Sequence, residues 1–205
     1  MPISICFGRQ FGSGGREIAR AVANELGFEF YDKELINLAA KESGLDVDTA
    51  HELDERPTGS LLYSIVTDGG HFINGAYGYN LPNNDKLYIA QSNIIKDISA
   101  KKNAVFVGRC ADHILAEEKN VIKVFIYAND SDRIERIMQL HDCNEKKAEE
   151  MISKADKKRK SYYNFYTGKK WGSMTEHDLC VNSSLLGIEG TAKLIADFAR
   201  QFKEK

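Results

Sequence analysis

The sequence has few cysteines and no closely spaced cysteine pair. No C-x-x-C pattern occurs among the four: Cys6, Cys110, Cys143 and Cys180. Three of them lie in or beside apolar segments of strand length, so buried, reduced thiols are favoured over a metal site or a redox pair. We therefore expect the cysteines to contribute to packing and not to chemistry.

Long apolar runs and a charged leader are also missing. No segment approaches the roughly 20 consecutive apolar residues that a membrane helix requires. Residues 1–7 lack a cationic stretch followed by a long apolar one, which is the pattern of a secretory signal. These absences predict a cytoplasmic protein that has no membrane partner.

A large excess of either charge is absent as well. The chain of 205 residues carries 28 lysines and arginines against 30 aspartates and glutamates, a formal net charge of −2. A protein with no positive field has no general attraction for nucleic acid, so any basic function must be local. The length suits one well-buried core, and we predict a single domain over residues 1–205.

What the sequence does contain is a set of short apolar segments that alternate with segments of helix length. They are residues 3–7, 28–31, 104–107, 121–127 and 179–181. Nearly continuous apolar strands separated by amphipathic helices are typical of a parallel sheet covered on both faces. Ligands of such sheets bind at the carboxyl ends of the strands. The pattern therefore predicts an α/β fold and the place of its site.

The connection between the first strand and the first helix is the most informative segment. Residues 8–17 include four glycines: Gly8, Gly12, Gly14 and Gly15. The backbone N–H groups of a glycine-rich turn and the positive end of the next helix together attract an anion, above all phosphate. A strand-to-helix turn with a purely structural role is the alternative.

This glycine loop resembles the phosphate loop G-x-x-x-x-G-K-[ST], but no Lys-Ser or Lys-Thr pair follows its last glycine. Gly15 takes the place of the lysine when Gly12-Ser13-Gly14 is aligned with the usual Gly-Ser-Gly. Arg16 takes it if the loop is one residue longer. Neither alignment supplies the hydroxyl group that normally binds magnesium.

Two charged residues follow other predicted strands. Asp32 follows the second strand, where it suits either the N-cap of the next helix or an active site. Arg109 follows the third strand in a Gly108-Arg109 pair, and its guanidinium group suits bidentate recognition of phosphate. A salt bridge within the crossover connection is the alternative for Arg109.

Two longer segments differ from the rest of the chain. Residues 57–84 interleave glycines with aromatic residues, which favours a binding loop whose rings stack on a base or anchor the loop. Residues 131–170 are rich in charge and end in tyrosines. Their position before the last strand favours a lid whose cations contact a transferred phosphate. A solvated helix face is the alternative, and an RNA-binding patch is the weakest interpretation.

In their order and spacing, these segments resemble the cytidylate kinase-like family of phosphate-loop nucleoside monophosphate kinases. The resemblance rests on residues 8–17, 30–35, 107–109, 156–159, 178–182 and 187–189. It implies a P-loop kinase-like three-layer sandwich, with a five-stranded parallel sheet of order 2-3-1-4-5 and helices on both faces. It also implies a monophosphate-binding insert at residues 33–100 and a helical lid at residues 133–170.

The resemblance further implies roles for individual residues. Those that would bind ATP are Gly12, Ser13, Gly14, Gly15, Arg16, Glu17 and, near the donor base, Asn182. Those that would bind the acceptor are Arg109, Asp112, Lys157 and Lys158, although the family has Gly-Arg-Asp where Asp112 lies two residues further on. Those that would act in catalysis are Arg16, Arg133, Arg159 and Asp32, and Asp32 would also position magnesium.

The sequence therefore predicts transfer of the γ-phosphoryl group of ATP to a nucleoside monophosphate, cytidylate in the first place, with Mg²⁺. The expected partners are small-molecule nucleotides, and no nucleic acid. A nucleotide-binding module without catalysis is one alternative, because the loop lacks the Lys-Ser/Thr pair. A kinase for another small phosphorylated acceptor is the other, because residues 57–84 carry no recognisable acceptor signature.

Overall fold

The computed structural model describes residues 2–57 and 81–202. Its strands are β1 Ser4–Arg9, β2 Glu29–Tyr31, β3 Ala104–Val107, β4 Val121–Tyr127 and β5 Leu179–Asn182. Every strand pairing is parallel, and the order across the sheet is β2-β3-β1-β4-β5. The predicted five-stranded parallel sheet with strand order 2-3-1-4-5 is confirmed.

Helices connect these strands. They are α1 Gly15–Leu26, α2 Glu34–Ser43, α3 Val47–Leu53, α4 Asn83–Lys101, α5 Ala111–Ile114, α6 Asp130–His141, α7 Glu145–Thr167 and α8 Gly187–Gln201. Helix α1 ends at Leu26 and is capped by Gly27, whose φ of 68° is a left-handed conformation that costs glycine little. Helix α3 begins after Asp46, which accepts a hydrogen bond from the Thr49 N–H at 3.1 Å. The predicted glycine- and aromatic-rich binding loop lies, apart from its ends, outside the described residues.

The sheet buries a different cluster on each face, because successive residues of a strand point in opposite directions. Ile5 and Phe7 of β1 pack with α1 and α8, whereas Cys6 packs with α2, α4 and α5. Helix α4 directs Ile95 into the core, while Ile94 lies at its margin. The outcome is the predicted three-layer arrangement.

Helices α6 and α7 form a hairpin that packs at the carboxyl end of the sheet. The ring of Tyr166 on α7 stacks on Tyr88 of α4, with centroids 4.1 Å apart. The Tyr166 hydroxyl donates to Asp85 at 3.0 Å, and the Tyr163 hydroxyl donates to Asp112 at 2.7 Å. These contacts fasten α7 to α4 and α5. In the described part of the chain, no helix has both the length and the apolar character to cross a membrane.

Candidate functional site

The glycine loop follows a path that only glycine takes easily at two positions. Gly12 and Gly14 have φ angles of 81° and 72°, and the Gly14 carbonyl accepts the first hydrogen bond of α1 from Ile18 N–H at 2.9 Å. A Cβ atom at Gly12 would also lie 2.9 Å from the carbonyl oxygen of Arg133. The loop is therefore tightly packed, with the N-terminus of α1 beside it.

The loop is fixed from outside by the α6–α7 hairpin. Arg133 Nε donates to the Phe11 carbonyl at 2.8 Å, and the Phe11 N–H donates to Asp156 Oδ1 at 2.7 Å. Arg133 and Asp156 also form an ion pair with each other, and Arg133 pairs with Asp130 at 3.1 Å. Since Arg133 is only 4% exposed and makes all these contacts, the structure places it as a clamp on the loop. Its predicted catalytic contact stays a prediction.

Asp32 joins two of the predicted arginines. Its Oδ2 accepts from Arg16 Nε at 2.5 Å, and its Oδ1 accepts from Arg109 Nη1 at 3.1 Å. Burial by itself would raise the Asp32 pKa, but the charges of Arg109, Arg16 and Arg9 outweigh burial and lower it. The N-cap of α2 is Lys33, so the capping interpretation of Asp32 is wrong. Asp32 instead holds two guanidinium groups at the end of β2.

Arg109 lies in a strained turn after β3. Gly108, Arg109 and Cys110 have φ angles of 75°, 54° and 57°, a conformation that residues other than glycine adopt only at a cost. The guanidinium group is 2% exposed and also donates to Asp54 Oδ2 at 3.0 Å. Burial opposes its charge, but Asp54, Glu55 and Asp32 raise its pKa. Arg109 thus pairs with Asp32 at the end of β2 and with Asp54 after α3, and both partners lie outside the crossover connection that Arg109 begins.

Glu55, which the sequence interpretation missed, pairs with two further arginines, Arg9 and Arg159. Its carboxylate oxygens lie 3.2 Å from Arg9 Nη1 and 3.6 Å from Arg159 Nε. Burial raises the pKa of Glu55, but Arg9, Arg159 and Arg109 together lower it to about 2. Burial, with the charge of Arg9, lowers the pKa of Arg159 to about 10. Burial raises the pKa of Asp54, and the adjacent Glu55 adds to that increase while Arg109 opposes it.

Two cavities adjoin the glycine loop. The first, of about 200 Å³, is bounded by the loop and by four arginines: Arg9, Arg16, Arg136 and Arg159. The second, of about 390 Å³, lies between Gly12, Ser13, α6 and residues 183–188, where Leu140 and Ile188 add apolar surface. A cavity that four arginines line beside the loop suits phosphates, and the larger one, with apolar surface from Leu140 and Ile188, has room for a flat base.

The other predicted site residues lie at varying distances from this centre. Glu17 lines the smaller cavity, where its carboxylate is 3.7 Å from Arg136. Asn182 donates to Asn129 at 3.0 Å at the end of β5, next to Ser183, whose hydroxyl donates to the Ser13 carbonyl at 2.7 Å. The β5 exit is therefore tied directly to the glycine loop.

The predicted acceptor residues are only partly brought together. Arg109 lies in the centre, whereas the Asp112 carboxylate is engaged by the Tyr163 hydroxyl. Lys157 and Lys158 are exposed on α7. The signal that could have identified Arg9 was its position at the exit of β1. For Asp54 and Glu55, at the end of a short helix, the sequence offers no comparable signal.

No site built for a resident metal ion is found in residues 2–57 and 81–202, because no group of three or more His, Cys, Asp or Glu side chains is placed to hold one. Both oxygens of Asp32 already accept from guanidinium groups. Mg²⁺ in nucleotide sites is held mainly by phosphates and water, with one or two carboxylates. Asp32 fits that arrangement through a water molecule.

The sheet order, the glycine loop between β1 and α1, and the helices on both faces define the P-loop kinase-like class of α/β fold. Within that class, the chain belongs to the cytidylate kinase-like family, whose sequence model matches residues 4–185. The recognition made from the sequence is thereby confirmed. A comparison with curated proteins finds no match.

Solved structures are similar to this chain in fold. An uncharacterized protein from Eubacterium ventriosum ATCC 27560 is similar with a TM-score of 0.71 and 27% identity, over 98% of this chain and 99% of that one. Shikimate kinase from Bacteroides thetaiotaomicron is similar with a TM-score of 0.52 and 13% identity, over 97% of this chain and 98% of that one. At that identity, the second likeness concerns the fold alone.

Proposed function

We propose that this protein transfers the γ-phosphoryl group of ATP to a nucleoside monophosphate, with cytidylate as the first acceptor to test and Mg²⁺ as the accompanying ion. The observation that carries the proposal is the convergence of Arg9, Arg16, Arg109 and Arg159 beside the glycine loop, where the carboxyl ends of β1, β2 and β3 meet. Membership of the cytidylate kinase-like family supports the same reaction class.

On the donor side, the glycine loop and the N-terminus of α1 supply N–H groups and partial positive charge for the ATP phosphates. Arg16 and Arg136 line the same cavity. The base of ATP suits the neighbouring 390 Å³ cavity, where the Leu140 and Ile188 side chains offer apolar surface and Ser184 offers a hydroxyl group.

Phosphoryl transfer requires positioning and charge stabilisation more than covalent help from the protein. Arg16 and Arg159, which both line the smaller cavity, bring positive charge to the transferring group. Asp32 fixes the orientation of Arg16 and Arg109 at the same time. When bound, Mg²⁺ neutralises charge on the donor phosphates.

The test is coupled ADP release with ATP, Mg²⁺ and a panel of nucleoside monophosphates and other small phosphorylated acceptors. We expect turnover with cytidylate and a loss in kcat of about 10²-fold or more in Arg16→Ala, the scale of a removed charge-stabilising donor. Arg20→Ala is the matched control, because Arg20 lies one turn along α1 and stacks on Phe30 instead. A wild-type protein inactive with every acceptor would exclude the proposal.

A nucleotide-binding module without catalysis is the second candidate. It is favoured by the absence of a loop lysine and by the engagement of Arg16 with Asp32. Calorimetry distinguishes the two: a module of this kind binds ATP with the same affinity with and without Mg²⁺. Turnover that requires Mg²⁺ and disappears in Arg16→Ala would contradict it.

A further inference from the structure

A carboxylate of the chain itself lies among the arginines on the acceptor side of the site. Glu55 pairs with Arg9 and Arg159, while the neighbouring Asp54 pairs with Arg109 at 3.0 Å. The three arginine side chains are 11%, 17% and 2% exposed, in that order. The space left between them is about 20 Å³, room for about one water molecule.

The Glu55 carboxylate lies against the backbone at the end of β3. A Cβ atom at Gly108 would be 2.8 Å from Glu55 Oε1 and 2.2 Å from Arg9 Nη1. Both charged groups therefore pack directly on the glycine, at the carboxyl end of a central parallel strand. This is the position at which such sheets bind their ligands.

The fit of these two carboxylates is incomplete. Arg109 Nε and Asp54 Oδ1 are buried and have no hydrogen-bond partner among residues 2–57 and 81–202. Leaving buried polar groups unpaired is unfavourable, and so is the left-handed φ of 52° at Glu55. The arginines thus have donor capacity that Asp54 and Glu55 do not fill, whereas a phosphate dianion concentrates its charge on oxygens around one phosphorus atom, which several guanidinium groups can share.

We propose that Asp54 and Glu55 are an internal substitute for a phosphate dianion, held by Arg9, Arg109 and Arg159, and that the phosphate of the acceptor displaces them. The inference rests on the proposed function for the identity of the acceptor, but not for the binding of an anion. Glu55 then determines specificity, since an acceptor without a dianionic group gains too little from the arginines to displace two carboxylates.

The test is calorimetric titration of inorganic phosphate, without nucleotide, into the full chain as wild type, Glu55→Gln and Glu52→Gln. Glu52 is exposed on α3 and serves as the matched control. We expect Glu55→Gln to bind phosphate about tenfold or more tightly than wild type, and Glu52→Gln to match wild type. The glycine loop attracts phosphate equally in all three proteins, so only the difference between them reports on the arginines.

Thermal unfolding keeps the test decisive if Glu55→Gln is destabilised. We expect its unfolding temperature to fall without phosphate and to rise with added phosphate by more than that of wild type, because the ligand replaces the missing charge. Equal or weaker phosphate binding by Glu55→Gln, or a loss of stability that phosphate does not restore, would overturn the substitute role. If wild type shows turnover but Glu55→Gln binds phosphate no more tightly than wild type, only this inference is contradicted. If Glu55→Gln binds phosphate more tightly but wild type shows no turnover, only the proposed function is contradicted.

Discussion

Asp32 is a buried carboxylate that two guanidinium groups share, and its removal leaves both of them without that partner. A buried charge that loses its partner typically costs 3–5 kcal/mol. For this site the loss concerns Arg109 above all, because Arg16 is half exposed and can return to water.

We therefore expect Asp32→Asn to lower kcat/KM by about 10²-fold or more and to lower the free energy of unfolding by about 3 kcal/mol. Steady-state kinetics and urea unfolding measure the two effects. Asp97→Asn, an exposed change on α4, should affect neither. Full activity in Asp32→Asn would show that the Asp32 carboxylate has no role in substrate binding or catalysis.

Glu55 makes the stability depend on pH in a stated direction. Its pKa falls from 4.5 in the unfolded chain to about 2 in the fold. Its contribution is therefore fully present above about pH 4.5 and is lost as pH falls toward 2, to an extent of about 3 kcal/mol at most. Asp54, whose pKa burial raises, works in the opposite sense and reduces the net effect.

Urea unfolding between pH 6 and pH 3 tests this expectation. Wild type should lose stability more steeply below pH 4.5 than Glu55→Gln does, because the variant has no carboxylate to protonate. Parallel curves for the two proteins would show that Glu55 is not held in its ionised form by the arginines.

At the scale of elements, the α6–α7 hairpin determines the shape of the glycine loop. Helix α6 supplies Arg133 and helix α7 supplies Asp156, and each binds a backbone group of Phe11. The loop has no other fastening of this kind at Phe11 within the described residues. A change in the hairpin is therefore expected to reach the donor site through the loop.

Asp156→Asn should raise the KM for ATP about tenfold and leave kcat within a few-fold, because it removes a charged hydrogen bond that holds the loop and not a group on the substrate. Amide hydrogen exchange at Phe11 should become faster in the same variant. Lys154→Gln, exposed on the same helix, is the control. An unchanged KM together with unchanged exchange would refute the clamp.

At the scale of the whole molecule, a net charge of −2 coexists with a strongly cationic centre. Four arginines line one small cavity, and each pairs with a carboxylate: Arg9 and Arg159 with Glu55, Arg16 with Asp32, and Arg136 with Glu17. Such a centre attracts a compact polyanion without giving the surface a general affinity for nucleic acid.

We expect one cooperative thermal transition that ATP with Mg²⁺ shifts upward by about 5–10 °C at 100 times the dissociation constant, for a domain of this size. Differential scanning calorimetry measures it. Adenosine, which lacks phosphates, should produce little shift. A shift with adenosine as large as that with ATP would place the affinity in the base cavity and contradict the role of the glycine loop.

The sequence by itself determined the strands, the glycine loop and the family, because each depends on local patterns. Apolar runs define parallel strands, and Gly12 and Gly14 meet a backbone requirement that no neighbour can change. The placement of Arg109 after β3 followed in the same way, from the position of a strand exit in a parallel sheet.

Only the tertiary structure decided how the charges pair. The local sequence of Asp32 suited a helix cap equally well. Its ion pairs with Arg16 and Arg109 depend instead on residues far away in the chain. The sequence around Glu55 did not indicate its role, because that role depends on ion pairs with Arg9 and Arg159, which belong to two other elements. The pairs Arg109–Asp32 and Arg9–Glu55 form where the fold excludes most water from both partners, and that exclusion is a property of packing, not of local sequence.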